Sequence, residues 1–308
     1  MRKKIILIII SILFVIGIIS SILIIKHINY TKTYTYKLTK LGYSKADTTI
    51  LEKQLKKKEL DVLLKMKYNK NIIKLVKEKY FIFNNLHDYL KFYKENNDKN
   101  ISDIIAIINT NTNNKFYTNT KESDISKKEL ILVNKYNYLT AEYNPDDLKV
   151  FSNKYAYGDN QALRKNAYDA FISMWDKAFE DGYTLIVNSS YRSFDEQKKI
   201  YDDYYSWYGE EADKKAARAG YSEHQTGLAV DIQSYCSQDK EFDQCEEFTW
   251  LSNNAYKYGF ILRYPNSKEY LTGYKYESWH FRYVGAPVAK YIHDNNITFD
   301  EYYAYYLN

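Results

Sequence analysis

The chain has 308 residues, 45% hydrophobic and 27% charged, with a formal net charge of +5, ten glycines, three prolines and two cysteines. That length holds one full domain with sequence to spare, and argues against more than two large domains. The charge is uneven, +10 over residues 26–115 against −8 over residues 116–308; the basic stretch suits an anionic membrane surface or wall polymer, or is simply a solvated helix face, and without a nucleic-acid motif it argues against a nucleic-acid partner.

Arg2, Lys3 and Lys4 precede an uncharged run from Ile5 to Ile25. As a helix this run measures roughly 30 Å, the hydrocarbon thickness of a bilayer. A cleavable signal peptide also begins with basic residues and an apolar stretch, but it ends in a small-residue cleavage site. Here the apolar run meets Lys26 through Ile22, Leu23, Ile24 and Ile25. The expectation is an uncleaved anchor over residues 5–25, with residues 1–4 as a cytoplasmic basic tip and the rest outside by the positive-inside rule.

From Tyr43 to Asn144 there is no glycine and no proline, whereas all three prolines and eight glycines lie at or beyond Pro145. Such residues punctuate turns, so the two halves are built differently. Leu51 with Leu55, Leu60 with Leu63 and Leu64, and Ile82, Leu86, Tyr89, Leu90 and Tyr93 recur at helical spacing. This predicts a helical stalk or small helical domain over residues 26–120, of two or three short helices, with Asn109–Asn114 as its closing loop.

The second half alternates element types, as a compact α+β domain does. Leu130–Asn134 reads as a strand. Leu163, Ala167, Ala170, Phe171, Met174 and Ala178 mark one face of a helix that stops at Gly182. Thr184–Val187 reads as a buried strand, and Ser193 with Glu196 has the spacing of a capping box that opens the next helix. Arg192 therefore falls at a strand-to-helix junction, where scaffolds present functional side chains.

The strongest local signal runs from Ser222 through His224 and Gly227 to Asp231, followed 46 residues later by Glu277 and, close behind it, Trp279 and His280. Two histidines and a carboxylate make a three-ligand set, which leaves one position open as catalytic zinc requires. Glu277 is then a nearby carboxylate able to take a proton from activated water. Gly227 is the turn residue that lets His224 and Asp231 approach one ion. The other histidines, His27, His87 and His293, have no comparable setting.

These motifs, together with Leu132–Lys135, Ser190–Ser193, Tyr258–Phe260 and Arg263–Pro265, resemble the zinc D-alanyl-D-alanine carboxypeptidases of the VanY type. The resemblance covers Leu130 to the C-terminus and implies a catalytic domain over residues 121–308. The implied fold is the hedgehog and D-Ala-D-Ala peptidase type, α+β with a central antiparallel sheet and flanking helices. It implies one catalytic Zn2+ held by His224, Asp231 and His280, Glu277 as base, Arg192 as a substrate or oxyanion arginine, and Gln197 and Ser222 as substrate contacts. The implied partners are peptidoglycan stem peptides, and the implied setting is a single-pass bacterial membrane protein with its catalytic domain outside.

The same motifs fit an L,D-carboxypeptidase acting on tetrapeptide stems, an endopeptidase cutting within crosslinks, or an inactive wall-binding module. Arg192 and Glu277 together favour an active exo-acting enzyme. Cys236 and Cys245, with eight residues between them in a polar segment, suit a disulfide closing a loop beside the site; free thiols are the alternative.

Overall fold

The computed structural model describes residues 2–307, with side chains from Ser11 onward. Side chains of the basic tip, residues 1–4, lie outside that range. The chain divides into two compact units, 1–105 and 106–308.

The first unit opens with α1 (Arg2–Thr31), in which Ser11–Thr31 is long and apolar enough to cross a membrane and carries its apolar side chains exposed. Short helices follow: α2 (Tyr34–Leu41), α3 (Lys45–Gln54), α4 (Lys57–Leu63), α5 (Asn71–Val76) and α6 (Leu86–Glu95), and α7 (Ile101–Asn109) runs across the boundary into the second unit. They outnumber the two or three expected. Without glycine or proline, side chains set several boundaries: Ser44 and Asp47 cap α3 reciprocally, and the Lys56 amide donates to Glu59 at the start of α4.

The second unit, 106–308, takes in the stretch before residue 121, which folds back on its neighbours. The Tyr117 amide donates to the Lys135 carbonyl, and the Tyr136 hydroxyl donates to the Asn114 carbonyl. Two small pairs flank the main sheet: β1 (Lys121–Glu122) is parallel to β2 (Asn137–Tyr138), and β3 (Leu148–Val150) is antiparallel to β4 (Ala162–Arg164). The main sheet holds β5 (Ile186–Ser189), β6 (Ala229–Gln233), β7 (Phe260–Leu262) and β8 (His280–Tyr283), antiparallel throughout in the order β5-β6-β8-β7.

Around it lie α8 (Lys165–Glu180), α9 (Phe194–Tyr208), α10 (Glu246–Asn254), α11 (Glu269–Thr272), α12 (Ala286–Asn295) and α13 (Phe299–Tyr306). The core forms where α8 brings Phe171, Met174, Trp175 and Ala178 against Val187, Val230, Ile232 and Phe281 of the sheet. Trp175 also donates its indole N–H to the Leu185 carbonyl at 2.8 Å, satisfying its polar atom in the interior.

Leu130–Asn134 is not a strand. Ile131 and Val133 are buried in a small cluster with Leu139, but the carbonyls of Ile131 and Leu132 accept from Arg282 and from the Ser123 hydroxyl. Side chains thus take up acceptors that a ladder would use.

Candidate active site

Strand alternation builds the site. On β6, Val230 and Ile232 face the core, so Asp231 projects from the other side. On β8, Phe281 faces the core, so His280 and Arg282 project with Asp231. The register pairs Asp231 directly with His280, and with Ser189 of β5 across a bulge.

His224 arrives from the 3-10 turn Glu223–Thr226. Gly227 ends that turn at φ +67°, the left-handed region that glycine enters without strain. A Cβ there would also lie 2.9 Å from Arg164 Cγ.

Three side chains converge. His224 Nε2 is 3.5 Å from Asp231 Oδ2, and His280 Nδ1 is 3.1 Å from Asp231 Oδ1. The second nitrogen of each ring is directed elsewhere. His224 Nδ1 lies 2.6 Å from the Ser190 carbonyl, so it carries the proton and leaves Nε2 as a lone pair. His280 Nε2 faces Glu223 Oε2 at 3.5 Å. Asp231 Oδ1 is buried without a well-aligned hydrogen bond, an arrangement that a cation satisfies.

Around this cluster charges are strongly perturbed. Burial opposes the ionised form of Asp231, but the two imidazoles hold its carboxyl well below the usual range. Burial pushes the Glu277 carboxyl up to about 7, with Asp231 and Glu223 adding to the rise and His280 opposing it. Glu277 Oε2 is 3.8 Å from His280 Nδ1. Burial also lowers the His224 imidazole, whereas the Asp231 and Glu223 carboxylates outweigh burial and raise His280 to about 9.

Arg192 follows β5 and sits beside the cluster. Its Nη1 donates to Gln197 Oε1 at 2.6 Å and its Nη2 to Ser189 Oγ at 2.9 Å, both neutral acceptors. Gln197 in turn donates to the Ala217 carbonyl, which fixes the amide's orientation. Ser193 and Glu196 form the capping box at the start of α9, as their spacing predicts. Ser222 caps the His224 turn and lines the same cleft of about 240 Å³ as Arg192, Gln197, Glu277 and the three clustered side chains.

Residues 160–286 match the VanY family model, described as D-alanyl-D-alanine carboxypeptidase. A D-alanyl-D-alanine carboxypeptidase of Enterococcus faecium is 34% identical over 219 residues, 68% of this chain and 69% of that one. The chain belongs to the VanY family. YodJ of Bacillus subtilis (strain 168), a carboxypeptidase by name, is 45% identical to this VanY-family chain over 181 residues, 56% of it and 66% of YodJ. The chain thus spans about two thirds of the length of these curated relatives. The solved structure of the LdcB LD-carboxypeptidase superposes with a TM-score of 0.58 at 41% identity, covering 62% of this chain and 92% of that one.

The sequence assigns no role to Glu223 or Arg282 of this VanY-family chain, and it places Arg263 only within a motif. Glu223 is fully buried between the two guanidiniums, accepting from Arg263 Nε at 2.8 Å and Arg282 Nη1 at 2.9 Å. Arg263 also pairs with Asp300 at 2.6 Å. Glu223 lies inside the Ser222–Asp231 motif, where an ionisable residue next to a candidate ligand was the available signal. Lys135 was noticed only as part of a motif. It is buried against Phe116 and Tyr274, its Nζ 4.3 Å from each ring centroid, and burial lowers its ammonium to about 8.

Cys236 and Cys245 are joined in a disulfide. Neither lines the cleft; Cys245 is buried in the core and Cys236 packs against it. The loop they close anchors Cys245 in the core, and its Asp243 reaches Tyr276, the residue before Glu277.

Proposed function

We propose that this chain is a zinc-dependent D,D-carboxypeptidase that removes the terminal D-Ala from uncrosslinked peptidoglycan stems. The observation that carries this reading is the placement of Arg192 and Glu277 in one cleft with the convergent nitrogens and carboxylate of His224, His280 and Asp231.

The donor set fits the metal. Two imidazole nitrogens and one carboxylate oxygen lie within 4.8 Å of one another. Three such ligands with an open fourth position are the pattern of catalytic zinc; the outer nitrogen of His224 is hydrogen-bonded, as in metal-binding histidines, and that of His280 faces the Glu223 carboxylate. When bound, zinc polarises the scissile carbonyl and makes a water molecule more acidic.

The chain's own residues supply the rest. Glu277 takes a proton from the attacking water; as the C–N bond breaks, it passes that proton to the departing amine, so the products are a shortened stem and free D-Ala. Arg192, held by Gln197 and Ser189 but without a carboxylate of its own in either bond, pairs with the stem's terminal carboxylate. Pairing at that end sets the preceding carbonyl toward the metal and Glu277 and makes the action exo. Ser222 offers a hydroxyl to the bound peptide backbone.

The likeness to LdcB favours a second reading, cleavage of D-Ala from tetrapeptide stems after an L-centre. Timed release of D-Ala from the two stems by one zinc-loaded sample separates them. Faster pentapeptide cleavage supports the D,D reading, faster tetrapeptide cleavage the L,D reading, and cleavage of neither returns the domain to a wall-binding role. The exposed apolar helix α1 supports a single-pass anchor, and the basic residues Arg2, Lys3 and Lys4 before it favour a catalytic unit on the outer side.

A further inference from the structure

One wall of the cleft is a single helical ridge. Gln197, Ile200 and Tyr204 of α9 all line it, at the i, i+3, i+7 spacing of one helix face. The next positions on that face are Trp207 and Tyr208, and there the ridge leaves the cleft. Trp207 is 68% exposed and Tyr208 47%. Their rings cluster with that of Tyr204, at centroid distances of 5.8 and 5.9 Å. Large aromatic groups held on the surface beside a cleft mark a contact site.

The geometry points to a saccharide platform: we propose that Trp207 and Tyr208 stack against the N-acetylated sugar to which the stem peptide is joined. This rests on the carboxypeptidase reading, in which Arg192 and Gln197 hold the stem's terminal end. From Gln197 to Trp207 the helix rises about 15 Å. An extended stem of about five residues spans roughly 16–18 Å, so a stem laid along α9 delivers its sugar to the aromatic end.

Charge supports the same occupant. Residues 194–218 carry seven acidic and five basic side chains, and Lys215 Nζ lies 4.5 Å from the Tyr208 ring centroid, so the platform has little net charge to select an ionic partner and suits a neutral sugar ring. The C–H face of a pyranose stacks on indole and phenol rings without requiring an opposite charge.

The test uses the full-length, zinc-loaded protein and two substrates: a free stem peptide, and the same stem linked to its N-acetylated disaccharide. Trp207→Ala is expected to raise KM for the linked substrate about tenfold with kcat unchanged, and to leave the free peptide unaffected; Trp207→Phe restores most of the loss. Unchanged kinetics on the linked substrate overturn the platform, and so does an equal loss on both substrates. If the wild-type protein cleaves neither substrate, the carboxypeptidase reading falls instead. Titration with the stem-free disaccharide then decides the platform independently: a shifted Trp207 indole resonance upholds it, and an unmoved one removes it.

Discussion

Glu223 Oε2 lies 3.5 Å from His280 Nε2, while the Nδ1 of the same ring faces Asp231 Oδ1 at 3.1 Å. A carboxylate facing the outer nitrogen favours a proton there, so that a cation displacing the proton on Nδ1 finds that nitrogen as its ligand. Glu223→Gln is expected to weaken zinc binding about 10- to 100-fold, measured by competition with a chromophoric chelator. It should also lower stability by about 3–5 kcal/mol, because Arg263 and Arg282 lose a buried partner. Burial opposes the Glu223 carboxylate, but the two arginines hold its pKa below the ordinary value. Its contribution is therefore present above the unfolded-state pKa and lost as pH falls through the folded one, so the deficit of the variant shrinks in acid. An unchanged zinc affinity in a folded Glu223→Gln protein would remove the positioning role.

Glu277→Gln keeps the shape of the side chain and loses the proton acceptor. We expect kcat to drop about 10²- to 10⁴-fold with zinc still bound, read by steady-state D-Ala release alongside metal analysis. Burial raises the Glu277 carboxyl to about 7, and a neighbouring cation pulls it down from there. A base works only when deprotonated, so the wild-type rate should decline as pH falls through a pKa at or below about 7. A rate that stays flat down to pH 4 is incompatible with this assignment.

Arg192 gives a prediction that links protein and substrate. Amidating the stem's terminal carboxylate should reduce kcat/KM by the equivalent of about 2–5 kcal/mol, since a buried guanidinium is then left without its charged partner. Arg192→Ala should lose a similar amount on the natural stem and show little further loss on the amidated one. Additive losses would separate Arg192 from the terminal carboxylate and move it to the carbonyl oxygen.

Much of the site was legible because its chemistry is local in sequence. The Ser222–Asp231 motif contains a turn ending in Gly227 and a strand whose alternation separates Asp231 from Val230 and Ile232. The pairing of Asp231 with His280 was not readable, because register across β6 and β8 depends on which hydrophobic face is buried. Glu223 escaped for a similar reason: its guanidinium partners are Arg263, just past the end of β7, and Arg282 on β8. The segment Leu130–Asn134 misled because burial and β-propensity were read as a ladder, while side chains from Ser123 and Arg282 took its acceptors. In the first unit, caps such as Ser44 with Asp47 divided a stretch free of glycine and proline into more helices than periodicity suggested.

The disulfide packs against the core and neither cysteine lines the cleft, so its loss should separate stability from catalysis. Chain entropy for a loop this short corresponds to about 2–3 kcal/mol. Replacing Cys236 and Cys245 together by serine should lower the melting temperature while leaving kcat/KM unchanged at temperatures where the variant is folded. A changed kcat/KM at unchanged stability would place the loop's influence in the cleft.

The last prediction concerns the N-terminal helix. From Ser11 to Thr31 it is apolar and its side chains are exposed, including Phe14 at 70% and Leu13 at 61%. Twenty-one helical residues measure about 30 Å, enough to span a bilayer, and so much exposed apolar surface is unstable in water. Every side chain named in the cleft belongs instead to the unit formed by residues 106–308, which has its own core. Residues 32–308 produced without the helix should therefore stay in the soluble fraction and release D-Ala with the full-length kcat. The full-length protein should sediment with membranes and resist extraction by high salt, which removes proteins held by charge alone. Mature protein from cells that begins after Thr31 would show a cleaved signal in place of an anchor, and salt extraction of the intact chain would assign its attachment to the basic residues that follow.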